Sequence, residues 1–254
     1  MLKNRLEVVV DVARLRKLLK NWIRRHGYEV RKLSIGEMDD IARLVRLAQS
    51  RKIHTFLDVG ANCGQFAIDL RVAGYSDQII SFEPLSAAYR QLTHRAETDQ
   101  KWTVAERMAL GRAHEKKSIN IAGNSFSSSL LPMGERHLES APCSAYVGVE
   151  EIVVERLDEV LHGLGIGSDM QLALKIDTQG YEGEVLAGAE GILHNVKVLF
   201  TELSLAPVYV GAPSFDEIYM RLVGLGYRCV AISHEYSDYN TGEMLQVNGT
   251  FVRD

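Results

Sequence analysis

The sequence predicts a doubly wound α/β fold, a mostly parallel sheet with helices on both faces, and three observations predict it. From Thr55 onward, short apolar runs of strand character alternate with helical periodicities. A glycine turn, Asp58-x-Gly60-x-x-x-Gly64, ends the first run and opens the first helix of that series. Acids close the runs: Asp58, Glu83, Asp177 and Glu202 stand at strand ends, the rim where an open α/β sheet binds its ligands.

Each element has its own warrant. Over residues 2–25 the apolar positions Leu2, Leu6, Val9, Ala13, Leu15, Leu18, Leu19 and Trp22 recur at three and four, predicting an amphipathic helix that Gly27 ends. A second helix over 37–50 places Met38, Ile41, Leu44, Val45 and Ala48 on one face, so residues 1–50 read as a helical cap ahead of a main domain at 51–254. Residues 56–59 form a buried strand, 65–73 a helix closed by Gly74, and 78–82 a strand ending at Glu83-Pro84. Ser86 is expected to cap a helix through Thr93, and 102–110 to supply the third strand of a βαβαβ unit.

Regularity lapses over 112–145. An edge strand is expected at 117–122, and the serine-rich stretch 123–130 reads as a ligand-wall loop. An extended segment follows at 147–154, and a short helix at 157–161. Alternation returns with a strand at 172–177, a helix at 181–189, a strand at 196–200 closing in Thr201-Glu202, and a helix at 215–225 ended by Gly226. Strands at 229–232 and 249–253 flank a polar tip at 234–242 as an antiparallel hairpin.

Composition bounds the setting. The 254 residues are 46% hydrophobic and 24% charged, enough for a sizeable core. Cys63, Cys143 and Cys229 are too few and too scattered for a disulfide framework, which makes a reducing cytoplasm the expectation. The sequence contains no apolar run long enough to span a bilayer, and the N-terminal run lacks a cleavage site. Residues 1–26 hold eight basic against two acidic side chains, a local charge of +6, so the remainder carries −10 of the net −4. An acidic body argues against general nucleic-acid binding. The basic amphipathic helix fits packing on its own domain, pairing with a second copy in a homodimer, or contact with a membrane surface.

The turn selects among nucleotide-like ligands. Asp58 precedes the first glycine and the third glycine of a dinucleotide fingerprint is missing, which counts against the rival reading of an NAD(P)-dependent oxidoreductase. A carboxylate repels a pyrophosphate and tolerates a cationic, amino-acid-bearing cofactor. Glu83, roughly twenty residues on, stands where an acid accepts hydrogen bonds from ribose hydroxyls. Together they describe S-adenosylmethionine, either as methyl donor or held by a cofactor-binding scaffold without catalysis.

These motifs, in order, resemble a known family. Residues 56–64, Phe82-Glu83-Pro84, Ala109-Leu110-Gly111, the serine-rich 124–130, and 174–182 followed by 185–189 are similar to the successive motifs of the FkbM-type methyltransferases. The resemblance runs from about residue 52 to the end. It implies a Rossmann-like, seven-stranded class I methyltransferase sheet, S-adenosylmethionine as donor, and a hydroxyl acceptor on a sugar, glycolipid or polyketide-like metabolite, small or lipid-linked. Carried over by position, it implies that Asp58, Gly60, Ala61, Asn62 and Gly64 cradle the methionine half, Glu83 and Pro84 meet the ribose, Met108 and Ala109 the adenine edge, and Asn124 and Ser125 close over the cofactor. Gln179 stands where the family often has Glu, and Asn248 where many relatives have Asp.

Methyl transfer to an alcohol needs a group to take the hydroxyl proton. Asp177 and Glu202 are the first candidates, as base or as joint ligands of a divalent ion such as magnesium, and His234 is a third; the two acids also suit the cofactor amino group or a substrate hydroxyl, with Asp177 counted as a cofactor contact. Lys175 is expected to snorkel or to be paired, because a free ammonium beside a sulfonium would be repelled.

Overall fold

A computed structural model of the chain describes residues 19, 21–23, 25, 26, 39–167 and 170–254. It divides into two units, Met1–Asp39 and Asp40–Asp254. Most of the N-terminal helix expected over 2–25 lies outside the described residues; Leu19, Asn21, Trp22, Ile23 and Arg25 are helical. No described helix is long and apolar enough to cross a membrane.

The second unit opens with α1 (Asp40–Ser50), shorter at its start than expected. It belongs with the main fold rather than with a separate cap: its buried stripe Leu44, Val45 and Ala48 shares one core with Phe56 of β1 (Thr55–Val59). Then follow α2 (Gln65–Val72), β2 (Gln78–Phe82), α3 (Ser86–Ala96) and β3 (Trp102–Val104). The expected strand over 102–110 is two strands in two sheets, because the chain leaves β2 after Val104 and β4 (Ala109–Leu110) pairs elsewhere. The irregular stretch contains β5 (Glu115–Ala122), the short α4 (Glu135–Ser140), β6 (Tyr146–Glu155) and α5 (Leu157–Gly163). The second half supplies β7 (Leu172–Ile176), α6 (Glu182–Gly188), β8 (Val196–Ser204), α7 (Phe215–Gly224), β9 (Arg228–Ser237) and β10 (Met244–Val252).

The main sheet has seven strands in the order β3-β2-β1-β7-β8-β10-β9, all parallel except β10. Alternate residues feed two cores, which is why the strands read as continuous apolar runs. Leu57, Ile80, Leu174 and Leu199 face α5, α6 and α7. Phe56, Ile79, Ala173 and Val198 face α1, α2 and α3. Strand order reverses between β1 and β7, so their carboxyl ends frame a crevice. A three-stranded sheet, β4-β6-β5, walls it through Ala109, Ile119 and Ile152, which pack on Leu85 and Ala88 of the β2–α3 region.

Candidate active site

Register builds the floor of the crevice. Asp58 on β1 lies opposite Ser81 on β2 and Lys175 on β7. Asp58 is fully buried, with its Oδ1 3.0 Å from the Lys175 ammonium and its Oδ2 accepting from Ser81 Oγ at 3.3 Å. Ser81 Oγ in turn accepts from Trp102 Nε1. Lys175 is 4% exposed; it donates to the Gly60 carbonyl at 2.8 Å and lies 3.5 Å from Asp177. Burial alone would lower its pKa, but the carboxylates of Asp58 and Asp177 hold it above its ordinary value. The lysine is paired, as the sulfonium argument required.

The glycine turn follows. Gly60 has φ +77°, and a Cβ there would sit 1.8 Å from the Asp177 carbonyl oxygen, so only glycine fits between β1 and β7. Asn62 takes φ 47°, and its N–H donates to Glu83 Oε2 at 2.8 Å, while the Leu85 N–H donates to Glu83 Oε1 at the same distance. Both carboxylate oxygens of Glu83 are thereby aimed. Burial pushes Glu83 up to about 7 against the pull of these two N–H groups. Asn62 Oδ1 is a buried acceptor without a donor among the described residues.

Two neighbouring cavities lie over this floor. One, of about 160 Å³, is lined by Gly60, Asn62, Glu83, Pro84, Met108, Ala109, Ser125 and Asp177 among others. The second, of about 310 Å³, includes Ala61, Phe66, Lys175, Phe200, Glu202 and Asn248. Gly60, Asn62, Phe126, Asp177 and Glu235 line both. Three non-glycine residues with left-handed backbone, Asn62, Ser125 and Gln179, line the first cavity, which concentrates local strain at this site.

The structure places four of the sequence-derived site residues outside the cavity linings. Asp58 lines neither cavity and pairs with Lys175, which lines the second. Gly64 serves packing: a Cβ there would meet the Trp102 ring at 2.7 Å and Leu92 at 2.9 Å. Asn124 turns away from both cavities and braces its loop, donating to Ser127 Oγ and Ser144 Oγ. His234 lies within β9, not in the tip, because the strand runs on to Ser237; it is exposed and bonds Ser237, while its neighbour Glu235 lines the cavities.

Glu202 lies within β8, which continues to Ser204, and is 7% exposed. Burial, then the charges of Asp177, Glu182 and Glu235, raise its pKa well above the carboxylate range. Gln179 stands between Asp177 and Glu202: its Nε2 donates to Asp177 Oδ1 at 2.8 Å and more loosely to Glu202 Oε2 at 3.4 Å. The pair does not fit a divalent ion, the alternative to a base role that the sequence left open, since an amide N–H₂ lies between the two carboxyl groups. The described residues include no group of three or more His, Cys, Asp or Glu arranged for a metal. Glu182 is a brace rather than a site acid, its Oε1 accepting from Thr178 and Gly180 N–H groups. Asn248, opposite Glu202 in register, donates to Glu235.

Sequence reasoning missed Gln179, Tyr209, Glu235 and Phe126. Gln179 was visible only as a departure from the family pattern, and Glu235 only as the neighbour of His234. Tyr209 carries no signal in sequence, because its contact with Gln179 joins segments thirty residues apart.

The fit to S-adenosylmethionine rests on these residues. Glu83 presents two oriented oxygens to hydroxyls, Asn62 an unused acceptor, and the Gly60 turn a surface without side chain, beside an apolar wall that includes Met108 and Ala109.

Among solved structures, an rRNA methylase from Streptococcus thermophilus shares 9% identity over 87% of this chain and 99% of its own, with a TM-score of 0.47. An O-methyltransferase from Bacillus cereus, in complex with SAH, shares 10% over 97% of this chain and 94% of its own, with a TM-score of 0.46. No curated protein matches the sequence. Residues 58–229 match the methyltransferase FkbM domain, two thirds of the chain and every motif of the crevice from the turn to β9. The chain belongs to the FkbM methyltransferase family.

Proposed function

We propose that this protein transfers the methyl group of S-adenosylmethionine to a hydroxyl of a sugar, glycolipid or polyketide-like acceptor, small or lipid-linked. The observation that carries the reading is the position of Asp177. Its side chain is 45% exposed and lines both cavities, so one carboxylate faces donor and acceptor together.

When bound, the cofactor supplies a methyl group on a sulfonium, whose departure as a neutral thioether needs no acid. The chain then has three tasks. Glu83, Asn62 and the Gly60 turn hold the donor by its ribose and methionine portions. The apolar wall from β4 to β6, through Ala109 and Ile119, limits water over the donor. Asp177 takes the hydroxyl proton as the acceptor oxygen bonds to the methyl carbon.

Calorimetric titration with S-adenosylmethionine and with NAD(H) tests the donor, and transfer of a radiolabelled methyl group to sugar and glycolipid extracts tests the acceptor. Asp177→Asn should keep donor affinity within about threefold and lower transfer by about a hundredfold or more. Binding of the dinucleotide alone would sink the proposal, as would donor binding with no acceptor methylated at oxygen.

A further inference from the structure

Asp177, just beyond β7, and Glu202 on neighbouring β8 are two acids that invite a divalent cation, yet here a side-chain amide lies between them. We propose that the Gln179 amide, its orientation fixed by Tyr209, takes the place of a bridging cation and holds Asp177 and Glu202 together without metal. The inference rests on the reading of Asp177 as the acceptor-facing carboxylate.

Three contacts set the device. A carboxylate oxygen only accepts, so the Gln179 N–H₂ group faces Asp177 Oδ1 at 2.8 Å, and the same nitrogen reaches Glu202 Oε2 at 3.4 Å. The amide oxygen then faces the Tyr209 hydroxyl, which donates to it at 2.7 Å. Tyr209 is 1% exposed and cannot turn aside for a second partner in solvent; its alternative acceptor, the Ser127 carbonyl, is 3.3 Å away. The phenol thus disfavours the inverted amide, which would set an oxygen against the Asp177 carboxylate and leave the phenol to donate only to the Ser127 carbonyl at 3.3 Å.

The backbone is fixed as well. Gln179 holds a left-handed φ of 53°, and the buried Ser129 hydroxyl donates to its carbonyl at 2.6 Å. An unfavourable backbone well, a side chain bonded at both ends and a carbonyl tied to the opposite loop are more than a solvent-facing loop residue needs. Gln179 and Tyr209 act on the reaction through Asp177 and are positioning residues.

The test reads Mn²⁺ binding to the full chain by electron paramagnetic resonance, with melting curves to show that each variant folds. Gln179→Glu replaces the amide donor by a third oxygen ligand and should bind Mn²⁺ at least about tenfold more tightly than the wild type, since affinity for hard cations follows ligand charge. Adding Asp177→Asn should abolish the gain. Tyr209→Phe frees the amide to invert and should show a smaller gain of the same kind. Wild-type binding as tight as that of Gln179→Glu, and lost in Asp177→Asn, would overturn the inference, because a cation would then bridge the pair beside the amide. A folded Gln179→Glu without gain would overturn it too, and no gain in Tyr209→Phe would remove the orienting role of the phenol. Should Gln179→Glu fail to fold, the Tyr209→Phe result decides. Failure of the wild type to bind S-adenosylmethionine would sink the donor reading alone and leave the Mn²⁺ result standing.

Discussion

Removing the Lys175 ammonium isolates the most deeply buried charge at the site. In Lys175→Met, Asp58 is left fully buried with Ser81 Oγ, 3.3 Å away, as its one remaining side-chain partner among the described residues. Stranding a buried charge in this way costs about 3–5 kcal/mol, against a total of about 5–15 kcal/mol for a folded domain. Asp58→Asn is milder, about 1–3 kcal/mol, since Lys175 keeps the Gly60 carbonyl at 2.8 Å and Asp177 at 3.5 Å. The double variant removes both charges, and its cost should fall below the sum of the singles by about 1–3 kcal/mol. Urea unfolding followed by far-ultraviolet circular dichroism at pH 7 supplies all four stabilities. Additivity within about 0.5 kcal/mol would refute the pairing as an energetic unit.

Glu83 predicts a pH dependence. Its ordinary value is 4.5 and burial raises it to about 7, so between these values the folded chain keeps a proton that the unfolded chain has lost, and stability falls as pH rises through that window. Melting temperatures of the unliganded protein should decline from pH 5 to pH 7, and the decline should flatten in Glu83→Gln. Ribose hydroxyls favour the charged form, so donor affinity should tighten over the same range in the wild type and not in Glu83→Gln, which calorimetry at several pH values would show. Gly60→Ala, with its Cβ forced to 1.8 Å from the Asp177 carbonyl, should abolish donor binding and lower stability, read by titration and urea unfolding. Asn124→Ala removes the brace to Ser127 and Ser144 and should speed amide exchange over 123–130, with a global cost of about 0.5–1.5 kcal/mol.

The parts of the fold legible in sequence are those set by local pattern. Continuous apolar strands and glycine-closed helices marked the α/β alternation and the crevice rim, while the count of seven strands came from the family resemblance. What failed was decided at long range. Nothing local marks residues 102–110 as two strands, because the break is a change of partner, from β2 for Trp102–Val104 to β6 for Ala109–Leu110. Ser86 has the composition of an N-cap, but its N–H and Oγ are taken by Glu150 on β6, and the helix begins at Ser86 with Leu85 as cap. The hairpin strands proved longer than their apolar cores, since Glu202–Asn248 and Val247–His234 pair through polar residues that a hydrophobicity pattern passes over.

The same logic changes what the acid of the glycine turn is for. Read along the chain, Asp58 is a carboxylate next to a ligand-binding turn, and contact with the ligand is the natural inference. In the sheet it is one strand away from Lys175, and the ammonium spends its bonds on Asp58, on the carbonyl of Gly60 and on Asp177. Those partners are the buried acid and, on the proposed reading, the turn that holds the donor and the carboxylate that takes the acceptor's proton. On that reading a buried charge sets the spacing between the two groups. On this view Asp58→Asn should weaken donor binding only as far as the Gly60 carbonyl moves, by less than the loss expected for Glu83→Gln, whose oxygens meet the ribose directly. Parallel titrations of the two variants decide it, and a larger loss at Asp58 would return that residue to the ligand.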